Sequence, residues 1–252
     1  MSTTSSLTRV ALVTGAGQGI GRGIALRLAT DGFDVAVNDI ARSADKAEAV
    51  RDEIRATGRR AIAVVADVSD TDEVAAMVAT TVTELGRLDV AVANAGIAQA
   101  QLLLDTTVQE WDRMFAINVR GVFLTWQAAA RQFIAQGRGG KLVAAGSNAS
   151  HRAAGFLPAY SAAKFAVRGL TQAAAMQWAE HGITANSYAP GVVNTPLWAG
   201  DPEGFAREAA KIPLGRVQEP ADVAALVSYF ASPDSDYMTG QTVIMDGGLT
   251  YN

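Results

Sequence analysis

Four short apolar runs limit the fold of this chain more than any other feature: VALVTG from Val10, DVAVND from Asp34, AIAVVAD from Ala61 and LDVAVANAG from Leu88. Each is apolar on both faces, as a strand must be when a parallel sheet is covered on each side. Segments with helical spacing separate them. After the first run, Ile20, Ile24, Ala25 and Leu28 mark one face of a helix. A charged helix is expected from Ser43 to about Ala56, another over VSDTDEVAAMVATTVTELG, and a long one from about Thr107 to Gln136. KLVAAGS, ITANSYAPG and QTVIMDGG supply three further strands. A helix lies between the first two of these, and shorter helices are expected around Phe205–Lys211 and Ala221–Phe230. This alternation implies an α/β fold, a doubly wound parallel sheet of seven strands with helices on both faces. No linker, repeat or low-complexity block interrupts it, so residues 1–252 read as one domain. The Gly-, Pro- and charge-rich stretch from Pro196 to Pro213 is the expected mobile lid.

Composition removes several functions. The chain has 21 basic and 25 acidic residues, and its densest basic block is Arg59-Arg60. Nucleic acid and anionic membranes are therefore not expected partners. There are no cysteines, which excludes disulfides, thiolate catalysis and Cys-built zinc sites. His151 and His181 stand thirty residues apart and read as loop or helix-end residues, so no metal site is expected. The start, MSTTSSLT, is polar and uncharged, without the pattern of a signal peptide. No run of about 18 apolar residues is present. A cytoplasmic protein is expected.

The turn after the first strand, TGAGQGIG from Thr14, is rich in glycine. Between a strand and a helix, glycines let the backbone approach a phosphate, which the helix N-terminus attracts. Ile20 stands where G-x-G-x-x-G has its last glycine, leaving Gly15, Gly19 and Gly21 as the pattern, with Gln18 and Ile20 inside it. Asp39 ends the second strand, followed by Ile40. A carboxylate there accepts hydrogen bonds from ribose hydroxyls and repels a 2′-phosphate, favouring NAD over NADP. Arg42 is the one nearby group that opposes this preference. Asp67, with Val68, either caps an adenine amino group or starts the helix near Val68-Ser69. Asn94, Ala95 and Gly96 are expected beside the adenosine.

Tyr160 and Lys164 are four residues apart on a helix and so share a face. Ser147 ends the fifth strand, and ligand chemistry in parallel sheets gathers at such ends. Asn118, among apolar neighbours in AINVRG, either caps a backbone kink or joins a polar network. A tyrosine titrates near about 10. A cation about 5 Å away at an effective dielectric of about 20 contributes about 3.3 kcal/mol. That is about 2.4 pKa units, placing Tyr160 near roughly 7.6, poised for proton transfer.

TGxxxGIG, NAG, the helix asparagine, Ser147 followed by YxxxK, Pro190-Gly191 and the late DGG together resemble the short-chain dehydrogenase/reductase family, from about Arg9 onward. The resemblance implies a Rossmann-type fold and an enzyme that exchanges hydride with a nicotinamide. It implies that Tyr160 is the base in alcohol oxidation and the acid in carbonyl reduction. Lys164 lowers its pKa and holds the nicotinamide ribose, and Ser147 binds the substrate oxygen. Asn118 positions a relay water, while Thr195 and the backbone near Val193 hold the carboxamide.

AGQGIGRGIAL, AYSAAKFAVRGLTQAAA, SPDSDYMTGQ and DGGLTYN further resemble the acetoin/diacetyl reductase (2,3-butanediol dehydrogenase) branch. That implies NAD and a small secondary alcohol or ketone with a vicinal oxygen. Trp198 matches the branch and either walls the pocket or packs on the core. With only 15 residues between Trp198 and Leu214, the lid is shorter than is usual there, which favours bulkier aryl hydroxyketones or amino alcohols. Gln99, Asn148, Phe156 and Trp198 are the expected pocket walls. The family also implies a homotetramer. Two other readings remain. One is a 3-oxoacyl-thioester reductase, which Asp39 and Gln18 disfavour. The other is a non-catalytic dinucleotide sensor, which needs no intact Ser, Tyr and Lys set.

Overall fold

The computed structural model describes residues 8–251; the first seven residues of the polar start lie outside them. Seven strands form one sheet, all pairs parallel: β1 (Val10–Val13), β2 (Asp34–Asp39), β3 (Ala61–Val65), β4 (Val90–Ala93), β5 (Gly140–Ala145), β6 (Ile183–Pro190) and β7 (Thr242–Met245). Their spatial order is β3-β2-β1-β4-β5-β6-β7. The winding therefore reverses between β1 and β4, and the crevice for a ligand opens beyond the C-terminal ends of these two strands.

Helices cover both faces: α1 (Gly19–Thr30), α2 (Ala44–Ala56), α3 (Thr71–Leu85), α4 (Val108–Phe115), α5 (Gly121–Gln136), α6 (Pro158–Trp178), α7 (Pro202–Ala209) and α8 (Pro220–Ala231). One apolar layer packs α3, α5 and α6 on the sheet around Trp126, Phe133 and Leu142. The other packs α1, α2 and α8 around Phe33, Val37 and Phe230. Strands β1, β2 and β4 are buried along nearly their whole length, which is why they carry apolar residues on both faces.

Two elements differ from the sequence expectation. The long helix is not continuous α-helix: α4 and α5 are joined by a π-helical turn, Ala116–Arg120, with Asn118 at its centre. The first of the two shorter helices starts at Pro202, three residues earlier than expected. Asp201 accepts a hydrogen bond from the Gly204 amide at 2.8 Å, and Pro202 fits the first helical position. The 196–213 stretch thus contains a helix of its own.

Candidate active site

The expected dinucleotide residues lie at or just after strand C-terminal ends, except Tyr160 and Lys164, which lie on α6. Gly15 (φ 61°) and Gly19 (φ 56°) adopt left-handed backbone, a conformation glycine alone takes without cost. A Cβ on Gly15 would lie 2.8 Å from Ala95 Cα, and one on Gly19 would touch Thr195 at 3.5 Å. The glycine turn is therefore flanked by the ends of β4 and β6. Gln18 precedes α1 and makes no side-chain capping bond, so the first-turn amides are left for an anion. Asp39 accepts from the Gly17 amide and the Ile40 amide, each at 2.9 Å. Four backbone and side-chain groups thus fit a dinucleotide: a glycine cradle, an uncapped helix start, a carboxylate at the second strand end, and small residues Ala95 and Gly96 after β4.

Asn94 ties the crevice together. Its Nδ2 donates to the Thr14 carbonyl at 2.8 Å and the Gly15 carbonyl at 3.1 Å, and its Oδ1 accepts from the Tyr188 hydroxyl at 2.8 Å. Sequence reading placed Asn94 beside the adenosine but missed Tyr188. The only signal was a large polar-tipped residue in an otherwise small-residue strand, ITANSYAPG. Lys46 was missed too. Its Nζ sits 2.7 Å from Gln18 Oε1, and a Cβ on Gly17 would meet both Asp39 Oδ2 and Lys46 Cβ.

Asp67 and Val68 divide. Asp67 is exposed and its Oδ1 accepts from the amide and hydroxyl of Ser69. It does not cap α3; Asp70 does, accepting from Asp72 and Glu73 amides. Val68 is buried, and its side chain abuts Gly121 at the start of α5. Only its backbone remains for a ligand.

Ser147, Tyr160 and Lys164 come together as expected. Ser147 follows β5, and its hydroxyl lies beside the Tyr160 phenol. Lys164 Nζ stands 5.3 Å from the Tyr160 ring centroid and donates to the Ala145 carbonyl at 2.7 Å. The expected fall in the Tyr160 pKa is not found. Burial pushes the phenol up, with the Ser147 hydroxyl opposing. The Coulomb argument omitted desolvation, which penalises the phenolate and the ammonium alike. Lys164 pays the same cost: burial lowers it to about 8.

That shift has a sign. The unfolded lysine titrates near 10.5 and the folded one near 8. Below pH 8 the buried charge costs stability in full, and the cost fades as pH rises from 8 to 10.5. Lys164→Met is therefore expected to melt above the parent at pH 7. The gap should close by pH 10.5. Calorimetry across that range checks it.

Asn118 does both things the sequence allowed. It sits on the kink, and its amide bridges to Ile97, accepting from the amide at 3.1 Å and donating to the carbonyl at 2.9 Å. Its side chain is thus engaged, and any relay role falls to main-chain groups that a π turn leaves out of the i→i+4 ladder.

Two of the expected pocket walls, Gln99 and Phe156, are tied together through Gln101. Gln99 is exposed and donates to Gln101 and Glu110. Glu110 is held at about 2 by its bonds to Thr107 and Gln99. Phe156 is also exposed, and its carbonyl accepts from the Gln101 amide. Trp198 packs against Phe205 of α7, centroids 5.7 Å apart, so it belongs to the lid. Asn148 bonds Ser147 directly. β6 ends at Pro190, and Gly191 leads on to Val193, which pairs with Gln218 across the base of the lid.

The geometry is that of an oxidoreductase built on a dinucleotide-binding sheet. A family model described as "Enoyl-(Acyl carrier protein) reductase" matches residues 15–250. A short-chain dehydrogenase/reductase of Armillaria gallica is 44% identical over all of this chain and 99% of the relative. The L-2,3-butanediol dehydrogenase of Corynebacterium glutamicum is 43% identical over 98% of this chain and 100% of its own. A 3-oxoacyl-[acyl-carrier-protein] reductase of Staphylococcus aureus is also 43% identical, over 96% and 98%. Among solved structures, a short-chain dehydrogenase/reductase from Mycobacterium marinum superposes with TM-score 0.93 at 40% identity, over 97% and 96%. A blue fluorescent protein from a metagenomic library, solved with NADPH, superposes with TM-score 0.89 at 36% identity, over 96% and 98%. The chain belongs to the short-chain dehydrogenase/reductase family. Its relatives include proteins named as butanediol dehydrogenases and diacetyl reductases.

Proposed function

We propose that the chain is an NAD-dependent alcohol dehydrogenase and ketone reductase acting on small substrates with vicinal oxygens: diketones, hydroxyketones and diols, or bulkier aryl analogues and amino alcohols. The observation that carries this reading is the meeting of Ser147, Tyr160 and Lys164 at the C-terminal end of β5, on the edge of the sheet that also carries the glycine turn. The dinucleotide, when bound, supplies or accepts the hydride. Gly15, Gly19 and Gly21 with Gln18 and Ile20 hold its phosphates. Asp39 and Ile40 take the adenosine ribose, with Asp67, the Val68 backbone, Asn94, Ala95 and Gly96 alongside. Lys164, Pro190, Gly191, Val193 and Thr195 hold the nicotinamide end.

Ser147 hydrogen-bonds the reacting oxygen. Tyr160 delivers a proton to that oxygen in reduction and removes one in oxidation. A phenol raised by burial suits the acid role. The buried ammonium of Lys164 offsets part of that rise whenever a phenolate forms.

The preference for NAD rests on Asp39. A hydrogen bond to a charged group contributes about 1.5–3 kcal/mol, roughly a factor of 10 to 100. Asp39→Ala is expected to lower kcat/KM with NADH by about that factor. It should raise activity with NADPH, because Lys46 and Arg42 then face no carboxylate. Steady-state rates with both cofactors check this. A parent chain that prefers NADPH would overturn the preference.

A reduction screen over diacetyl, acetoin, aryl hydroxyketones and a 3-oxoacyl thioester tests the substrate class. The short lid around α7 favours aryl substrates, and strict acetoin preference would count against that point. The similarity to a 3-oxoacyl reductase supports a second reading, which wins if the thioester is turned over fastest. Two further parts of the reading are cytoplasmic residence and a homotetramer. Exposed Phe123 on α5, with Phe165 and Met176 on α6, supports the latter, and sedimentation measures it.

A further inference from the structure

The late Asp-Gly-Gly run has no part in the reading above, yet its aspartate is buried. Asp246 follows β7 and is 5% exposed. Its Oδ1 accepts from the Gly248 and Leu249 amides, both at 3.1 Å. A Cβ on Gly191 would lie 2.7 Å from Asp246 Cβ, so the residue is pressed beneath the Pro190–Gly191 turn. Its other oxygen, Oδ2, receives Asn148 Nδ2 at 3.4 Å. Asn148 Oδ1 in turn accepts from the Ser147 hydroxyl at 3.2 Å.

The order of donors in this chain is forced. A side-chain amide can present either end to a neighbour, but an ionised carboxylate only accepts. Asp246 therefore draws the Asn148 NH2 toward itself. The Asn148 oxygen is left facing Ser147, and an amide oxygen also only accepts. Ser147 must spend its single proton on Asn148. Its lone pairs then take the Ala149 amide, at 3.1 Å, and, while the phenol is protonated, face the Tyr160 hydroxyl.

We propose that Asp246 and Asn148 are positioning residues that fix the direction of the Ser147 hydroxyl, turning its acceptor side toward Tyr160 and the reacting oxygen. The inference rests on the assignment of Ser147 and Tyr160 to the reacting oxygen. It deepens that assignment in one respect. An alcohol, which has a proton to donate, meets a ready acceptor in Ser147. A ketone, which can only accept, must first turn the hydroxyl away from Asn148. The site is thereby biased toward the alcohol.

Exchanging donors and acceptors tests this. In Asp246→Asn the Gly248 and Leu249 amides still require an oxygen, so the new NH2 faces Asn148. The Asn148 amide then turns over, donates to Ser147 and frees its proton for the site. Binding is read in dead-end complexes: alcohol with the reduced form by dinucleotide fluorescence, ketone with the oxidised form by titration calorimetry. In Asp246→Asn alcohol binding should weaken and ketone binding tighten, each about 3- to 10-fold, the span of one ordinary hydrogen bond. Asn148→Ala should shift both in the same directions. The double variant N148D/D246N restores an acceptor toward Ser147 and a donor below it, and should return both constants toward the parent.

A merely structural role would weaken both ligands together, without rescue, and would overturn the proposal. So would unchanged constants in both single variants. A readout independent of substrate is the Asn148 side-chain amide pair in the 1H–15N spectrum, identified by its loss in N148D. It should move in both Ser147→Ala and Asp246→Asn. If it stays put in both, the coupling does not exist. If it moves while no ketone or alcohol in the screen binds the parent chain, the positioning chain stands and the substrate reading fails.

Discussion

Tyr160→Phe is expected to bind dinucleotide as the parent chain does and to turn over substrate about 10²- to 10⁴-fold more slowly, the range that a positioned acid or base supplies. The substitution removes one oxygen and leaves the ring among Met114, Ile97, Phe115 and Val119. Lys164 keeps its anchor on the Ala145 carbonyl, and Ser147 keeps Asn148 and Ala149. The fold and the cofactor crevice should survive intact. Fluorescence titration with reduced dinucleotide and steady-state kinetics separate the outcomes. Turnover at the parent rate would remove Tyr160 from the chemistry. A chain that binds dinucleotide and turns over nothing, before or after the substitution, would instead fit a sensor.

Gly21→Ala should abolish measurable dinucleotide binding, or lower it at least about 100-fold, and cost about 1–3 kcal/mol of stability as an overpacked contact does. The added methyl would sit 2.3 Å from the Gly15 carbonyl oxygen and 2.5 Å from Asn94 Nδ2. Neither neighbour has room to yield. Gly15 is held against Ala95, and the Asn94 amide is bonded to Thr14, Gly15 and Tyr188. The glycine turn must move as a unit, away from the start of α1. Thermal melting and titration with NADH measure the two effects. A variant that binds normally would show that the turn does not form the phosphate cradle.

Much of this was legible in the chain itself, for physical reasons. Strands such as VALV and VAVA are buried on both faces, so every residue carries the signal. Glycines at Gly15 and Gly19 announce left-handed backbone. Asn118 was conspicuous because an amide among apolar residues must find partners. What stayed hidden were contacts between distant segments. Nothing near Tyr188 says that its hydroxyl meets Asn94. Nothing near Gln99 says that Glu110, eleven residues on, holds it. The Tyr160 error has a different source. Spacing reveals a neighbouring charge, but only the folded surroundings reveal how much water has been removed.

The π turn at Ala116–Arg120 amounts to one residue more than an α-helix needs. Removing one of these five would let α4 and α5 fuse into a single regular rod, with the flanking turns nearly in register and the local offset at Asn118 lost. Asn118 would swing off Ile97. The loop carrying Gly96, whose missing methyl leaves space for the Asn118 oxygen, would lose its tether. The chain thus keeps a small irregularity whose loss would tidy the helix and release the loop after β4, so length variation here should be tolerated far less than in the lid.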